Sequence, residues 1–283
     1  MLSAQFQSRA SHIGVGPISR FALLAGALVL TGPLTACSKF DFKDVTNSIT
    51  AQSAPSPQRA PANDLRKSTE DWGARYEKNP KDKIASINYA RGLRSLTQYA
   101  QAVAVLQTTL LANPTDLELM AAYGKALADA GRLPEAAEVL SRSHTPERPN
   151  WSVLSAQGSI ADRMGEHTTA QNYYLSALKI MPEEPSILSN LGLSYALSKD
   201  LKNAEAALQR AVANPRSDMR MRQNLALVLA LEGKFKEAEA IGSRDLSNVD
   251  AAANVNAIRK TMTQTNSWRD MAKLDADQTA QQH

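Results

Sequence analysis

Few side chains in this sequence have the chemistry needed for catalysis or metal binding. Its 283 residues include one cysteine, Cys37, and four histidines: His12, His144, His167 and His283. No two of these histidines have the short spacing that is typical of a zinc site. The sequence also lacks a phosphate-binding Gly-x-x-x-x-Gly-Lys-Ser/Thr loop and a Gly-x-Ser-x-Gly nucleophile motif. These patterns favour a protein that is not an enzyme and that needs no cofactor or metal.

Cys37 lies at the end of a segment with the features of an export signal. Arg9 and Arg20 come before an apolar run, Phe21–Leu30, and no acidic residue occurs before Asp41. A run of this length, about ten residues, suits the hydrophobic region of a signal peptide and is too short to span a bilayer, which takes about 20. The tetrapeptide Leu34–Cys37 (LTAC) resembles the bacterial lipobox, in which the cysteine receives a diacylglycerol group and becomes the new N-terminus.

The lipobox resemblance implies that residues 1–36 form a lipoprotein signal peptide and that acyl chains on Cys37 anchor the protein to a membrane. The alternative is an ordinary cleaved signal beside an unused thiol. Because Ser38 and not aspartate follows the cysteine, the common sorting rule for lipoproteins implies the periplasmic face of the outer membrane. Residues 37–63 are expected to be the lipidated cysteine and a disordered tether, since proline, serine, alanine and glutamine occur there without periodicity.

Composition and charge exclude other classes of protein. The formal net charge of +4 falls to about +2 when Arg9 and Arg20 leave with the signal, which is too small to indicate nucleic-acid binding. Aromatic residues make up 5% of the chain and strand-like alternation is absent, so an all-α fold is expected. A single cysteine permits no disulfide within the chain.

The rest of the chain carries a 34-residue period, most clearly in the unit Trp151–Pro182. A small residue recurs at Ala90, Gly124, Gly158, Gly192 and Ala226, and alanine recurs at Ala102, Ala136, Ala170, Ala204 and Ala238. A bulky residue recurs at Leu106, Leu140, Tyr174 and Leu208, and a turn glycine at Gly131, Gly165 and Gly233, with Lys199 as a departure. A fixed period of this length is typical of stacked-repeat proteins.

Each unit contains two amphipathic stretches of about 12–14 residues around a short turn, which predicts a helical hairpin. The small, bulky and proline columns resemble the tetratricopeptide repeat over about residues 83–248, or five units. This resemblance implies an all-α, right-handed solenoid, with an irregular alanine-rich bundle as the alternative. We expect an N-terminal capping helix at 64–82, a C-terminal capping helix at 249–264 and a polar tail at 265–283. Gly242 stands where bulk is predicted, which suggests that the fifth unit is looser or terminal.

The first helix of each hairpin is expected to line a groove that holds a partner. We call the residues one and five positions after the small column the first-helix face. They are polar in the first three units, and in the last two they are Leu193, Leu197, Leu227 and Leu231. Four leucines on an expected solvent face predict a hydrophobic groove for an amphipathic helix or a short segment of a partner protein. Alternatively, the C-terminal cap of the same chain, or Trp268 and Leu274 in the tail, covers them.

Two groups of polar residues accompany these leucines along the expected groove, one beside them and one at the other end. In peptide-binding tetratricopeptide proteins, asparagines of the first helix hydrogen-bond the main chain of the peptide. The resemblance therefore implies this role for Asn190 and Asn224, with an ordinary amide on a helix surface as the alternative. At the other end of the groove, Arg91, Arg94 and Lys125 form a basic region that could meet an acidic segment or a C-terminal carboxylate.

The whole arrangement also resembles the TadD-type lipoproteins of Flp (Tad) pilus assembly. The residues that carry this resemblance are Tyr76–Asp82, Ala122–Leu127, Leu188–Leu197, Arg222–Leu229 and Ala251–Val255. It implies a pilotin-like protein whose partner is the pilus secretin or another assembly component, and which helps the secretin ring to localise or assemble at the outer membrane. The alternative is a general periplasmic scaffold that recruits cell-wall or outer-membrane assembly factors.

Overall fold

Helices and short turns make up residues 59–280, the part of the chain that this computed structural model describes; side-chain surroundings are described for residues 63–264. The helices are α1 (Arg59–Lys78), α2 (Lys83–Ser95), α3 (Tyr99–Ala112), α4 (Leu117–Asp129), α5 (Leu133–Ser141), α6 (Trp151–Arg163), α7 (His167–Ile180), α8 (Pro185–Leu197), α9 (Leu201–Ala213), α10 (Met219–Leu231), α11 (Phe235–Gly242) and α12 (Asn248–Ala280). A single β-bridge, Thr145 to Arg148, lies between α5 and α6. The predicted all-α fold is confirmed for this part of the chain.

The first helix of each unit begins at a capping residue, and these residues are again 34 positions apart. Asp82, Asp116, Asn150 and Asp218 accept backbone N–H groups at the starts of α2, α4, α6 and α10. In the fourth unit Glu184 makes no such bond with its side chain, and Pro185 fills the first turn of α8, where its missing N–H donor is not needed. Each first helix therefore starts at the same point of its unit, because a side chain satisfies free N–H groups there in four units and a proline begins the helix in the fourth.

The turn inside each hairpin contains one residue with a positive φ. These residues are Gly131, Gly165 and Gly233 at 80–84°, and Thr97 and Lys199 at 60° and 68°. Glycine adopts this conformation without strain, whereas a side chain with a Cβ atom is strained there. Lys199 therefore replaces the turn glycine but keeps the positive φ of the turn.

Five hairpins stack in chain order. Their helix pairs are α2/α3, α4/α5, α6/α7, α8/α9 and α10/α11, and each first helix also contacts the first helix of the next unit. Helix α1 packs against α2, and α12 packs against both helices of the fifth hairpin. This arrangement confirms the predicted solenoid of helical hairpins.

The small and bulky columns meet inside the hairpins. A Cβ atom on Gly124, Gly158 or Gly192 would come within 2.6–2.7 Å of the bulky residue on its partner helix: Leu140, Tyr174 and Leu208, respectively. Tyr174 also shares a buried cluster with Ile187 and Leu191 of the next unit. The bulky column therefore packs both within a unit and between units, as close-packed interiors require.

Two boundaries differ from the predicted ones, and some predicted features lie outside the described residues. Helix α1 begins at Arg59, so the tether does not extend to residue 63; Pro61 falls in the first turn, where a helix tolerates proline. Helix α12 continues to Ala280 through the segment expected to be a tail. Cys37, the signal peptide and most of the tether lie outside the described residues. Within 59–280, none of the helices combines the length and apolar character needed to cross a membrane.

Candidate protein-binding groove

The first helices form a continuous layer, because side-chain hydrogen bonds join each one to the next. The contacts occur at groove positions and bridge neighbouring units. The bonds run from Arg94 Nε to Asp129 Oδ2 (2.6 Å), Lys125 Nζ to Ser152 Oγ (2.7 Å), Asn190 Nδ2 to Ser155 Oγ (3.5 Å) and Asn224 Nδ2 to Ser189 Oγ (3.1 Å). The predicted binding residues of the described chain therefore belong to one layer of helices.

The four leucines of the first-helix face divide into two pairs. Leu227 is buried, with 5% of its surface exposed, and shares a core cluster with Val255 and Ile258 of α12. Leu231 is half-buried and packs against the same cluster. The prediction that Leu227 is exposed is therefore wrong, because α12 covers the end of the fifth unit. This is the self-coverage alternative, and it applies to the last unit.

Leu193 and Leu197 form the second pair, on α8. Both side chains are half-buried, and among the described residues both lie outside the three core clusters. They lie one helical turn apart, so they share a side of the helix. An apolar pair that the core does not use is the part of the predicted patch that remains open to a partner.

The two predicted asparagines are partly used within the solenoid. Asn190 and Asn224 donate to serine hydroxyls of the preceding unit, at the distances given above. Both are half-buried. Each amide still has donor and acceptor capacity beyond this one bond, since an asparagine side chain has two N–H groups and a carbonyl oxygen. Their first role in the structure is to join consecutive units.

The basic residues lie together at the junction of the first two units. Arg94 pairs with Asp129, and the exposed Arg91 donates to the amide oxygen of Asn88 at 3.0 Å. Lys125 is half-buried and its ammonium group donates to the neutral hydroxyl of Ser152. Burial, reinforced by the charges of Arg94 and Arg91, lowers the pKa of Lys125 below its ordinary value. This end of the groove is a positively charged site with one carboxylate, Asp129.

A second polar site, which the sequence did not reveal, joins the third and fourth units. The carboxylate of Asp162 accepts bonds from His167 Nδ1 (2.9 Å), Ser194 Oγ (2.8 Å) and Tyr174 OH (3.2 Å). Ser194 is fully buried, and burial together with the Asp162 charge raises the pKa of Tyr174. The serine donates to the carboxylate and not to the imidazole, so a Ser–His pair of the kind that activates a nucleophile is not formed here. The arrangement holds two units together.

Comparisons of sequence agree with this geometry. Family models of the tetratricopeptide repeat match residues 93–151 and 155–218. The uncharacterized protein y4yS of Sinorhizobium fredii (strain NBRC 101917 / NGR234) is 32% identical over 115 residues. That match covers 41% of this chain and 63% of the relative, so the chain spans less than two thirds of its length.

Solved structures share the fold. PilW, whose crystal structure is described as that of a widely conserved type IV pilus biogenesis factor, gives a TM-score of 0.58 at 18% identity, over 75% of this chain and 97% of PilW. A chain of the APC/C hetero-tetramer Cut9–Hcn1 gives a TM-score of 0.57 at 19% identity, over 68% of this chain and 40% of that chain. At these identities the likeness concerns the fold. Over the matched residues, 93–151 and 155–218, the helical hairpins are tetratricopeptide repeats, units that form protein-interaction scaffolds.

Proposed function

We propose that this protein is a lipid-anchored adaptor of Flp (Tad) pilus assembly, with a pilotin-like role in placing or assembling the secretin at the outer membrane. The observation that carries the proposal is the pair Leu193 and Leu197. These side chains are half-buried and outside the core clusters, on a helix layer of an interaction scaffold. Fully burying an exposed leucine side chain is favourable by about 1.5–3 kcal/mol, so each of these half-buried side chains has about half of that still to contribute when a partner covers it.

The sequence supports the pilus assignment at the same place. The leucine pair belongs to Leu188–Leu197, one of the blocks that resemble TadD-type lipoproteins. The lipobox-like tetrapeptide ending at Cys37 supports the membrane anchor. PilW, a type IV pilus biogenesis factor, has a similar fold. Its identity to this chain is too low to extend that likeness beyond the architecture.

In-cell crosslinking tests the proposal. A photo-activated residue at position 193 is expected to capture the secretin, because a bound segment would lie against α8. The same residue at position 175 is the matched control, since Leu175 lies on the second helix α7 and is 42% exposed. A deletion strain is expected to lose secretin rings and pili. Normal rings and pili without this protein would remove the pilotin role, and capture of a cell-wall hydrolase from position 193 would favour the envelope scaffold.

A further inference from the structure

The basic end of the first-helix face has more positive charge than the chain itself neutralises. Arg91 and Arg94 lie one turn apart on α2, and Lys125 lies on the adjacent α4. Asp129 pairs with Arg94. Among the described residues, no carboxylate forms an ion pair with Arg91 or Lys125, which donate hydrogen bonds to the uncharged Asn88 and Ser152. Two cations on neighbouring helices are therefore left without a counter-ion.

Lys125 is the more informative of the two. Its half-buried ammonium group has lost part of its hydration, and its pKa is lowered by that burial and by the two arginines. A partly desolvated charge without an opposite charge is unfavourable, and it gains more from a binding anion than a fully solvated lysine does. The site is thus electrostatically suited to a carboxylate that comes from another molecule.

The basic end and the leucine pair lie on the same layer, at a distance that an extended peptide can span. Lys125 is on α4 and Leu193 is on α8, so α6 lies between them. Neighbouring packed helices have axes about 8–10 Å apart, which gives roughly 20 Å over two steps. An extended chain rises about 3.3 Å per residue, so about six residues cover this distance.

We infer that the first-helix face binds an extended partner segment with two acidic side chains at one end and two leucine-sized side chains about six residues away. The inference rests on the proposed function, because it names the segment that the partner offers to Leu193 and Leu197. Two acidic side chains match the two unneutralised cations, Arg91 and Lys125, whereas a single terminal carboxylate would neutralise one.

A synthetic probe tests this inference with the purified full-length chain in detergent. The probe is a fluorescent peptide, blocked at both ends, with two aspartates, five alternating serines and glycines, and two leucines; in the comparison peptide asparagine replaces each aspartate. Fluorescence anisotropy should show at least tenfold tighter binding of the acidic probe at low salt. This advantage should shrink as the salt concentration rises and screens the charges.

Paired variants locate the binding. R91Q and Lys125→Gln should each weaken binding of the acidic probe at least threefold, whereas Lys202→Gln, at an exposed position on α9, should leave it unchanged. L193S should weaken the binding of both peptides, and Leu175→Ser should weaken the binding of neither. R91Q alters an exposed side chain, so we expect little effect on stability, and melting temperatures check this for all the variants.

Equal affinities for the two peptides, absence of binding, or insensitivity to R91Q and Lys125→Gln would each overturn the inference. Failure of this inference can be distinguished from failure of the proposed function. If position 193 captures the secretin in cells but the acidic probe has no advantage, the segment chemistry is wrong and the adaptor role stands. If the acidic probe binds as described but position 193 captures no secretin, the segment chemistry stands and the pilus role is wrong.

Discussion

Single residues at the hairpin turns show how the repeat imposes a backbone shape on side chains that do not favour it. Thr97 and Lys199 have φ angles of 60° and 68°, in the column that glycine fills elsewhere. A β-branched residue is especially unsuited to this region, because its Cβ substituents crowd the backbone. The stacked hairpins hold the turn in this conformation, so the strain is local and removable.

Replacing Thr97 by glycine should therefore stabilise the protein. We expect T97G to raise the free energy of unfolding by about 0.5–1 kcal/mol, since the relief of strain exceeds the extra entropy of an unfolded glycine. Urea denaturation followed by circular dichroism measures the change. Thr115→Gly is the matched control: this threonine is also exposed in a turn, has no positive φ, and should give no gain. Equal effects of the two variants would show that the turn at Thr97 is unstrained.

The sequence predicts which helix each binding residue lies on, but not which side chains it contacts. The 34-residue columns placed Leu193, Leu197, Arg91 and Lys125 on the first helices from sequence alone. The columns do not show that Arg94 reaches Asp129, because that contact depends on how far long side chains extend across two helices. Nor do the columns predict the contacts of the Asp162 carboxylate, because its donors lie on two other helices: His167 and Tyr174 on α7, and Ser194 on α8.

At the level of the helix pair, the position of the small residue decides how closely two helices approach. In the fourth unit Gly192 faces Leu208, and a Cβ atom there would lie 2.6 Å from the leucine Cγ and 3.1 Å from the Ala204 carbonyl oxygen. In the fifth unit both helices carry a small residue, because Ala226 occupies the small column and Gly242 stands in the bulky column. A Cβ atom on Gly242 would lie 3.3 Å from the Cβ of Ala251, beside a cavity of about 30 Å³.

Two glycine-to-alanine variants should thus differ in their effect on stability. We expect Gly192→Ala to destabilise the protein by about 1–3 kcal/mol, because the carbonyl oxygen of Ala204 belongs to the backbone and cannot move aside like a side chain. Gly242→Ala should be neutral or stabilise by up to about 1 kcal/mol, through helix propensity. Thermal unfolding of both variants measures the contrast. A loss of stability at Gly242 as large as that at Gly192 would contradict the proposed difference in packing.

The junction between the third and fourth units depends on one carboxylate. The Asp162 carboxylate accepts three hydrogen bonds, whereas in Asp162→Asn the N–H₂ group of the amide would face hydrogen-bond donors. We therefore expect the free energy of unfolding to fall by about 1–3 kcal/mol. Stability in such arrays is a sum over units and interfaces, and the weakened interface should let α8 and α9 open more readily than α2 and α3. Hydrogen exchange measures this difference. Glu138→Gln, on the exposed side of α5, is the control and should change neither region. Uniform loss of protection would mean that the network does not act at this junction.

For the whole molecule, the period of the sequence was enough to predict the architecture, and composition was not. Each of several columns recurs in four or five units, including the caps at Asp82, Asp116, Asn150 and Asp218, so local signals and stacking agree. What happens at the ends is harder to predict, because the last unit lacks a neighbour with the same pattern. Leu227 therefore occupies a position that is half-buried in the fourth unit and buried in the fifth, where α12 takes the place of a further repeat.

Removal of α12 tests whether it closes the array. A chain that stops after Ser247 loses Val255 and Ile258, whose side chains are 3% and 4% exposed and share a cluster with Leu227. We expect its melting temperature to fall by at least about 5 °C, and its newly exposed apolar surface to bind a hydrophobic dye and to promote association. A chain that stops after Gln264 keeps both residues and should match the full-length protein in melting temperature and dye binding.

The full-length variant Ile258→Asp distinguishes the loss of apolar cover from the loss of chain length, since it places a charge against Leu227 without shortening the helix. If the chain ending at Ser247 remained monomeric, bound no dye and kept its melting temperature, α12 would not be what covers the fifth unit, and Leu227 would return to the surface available to a partner.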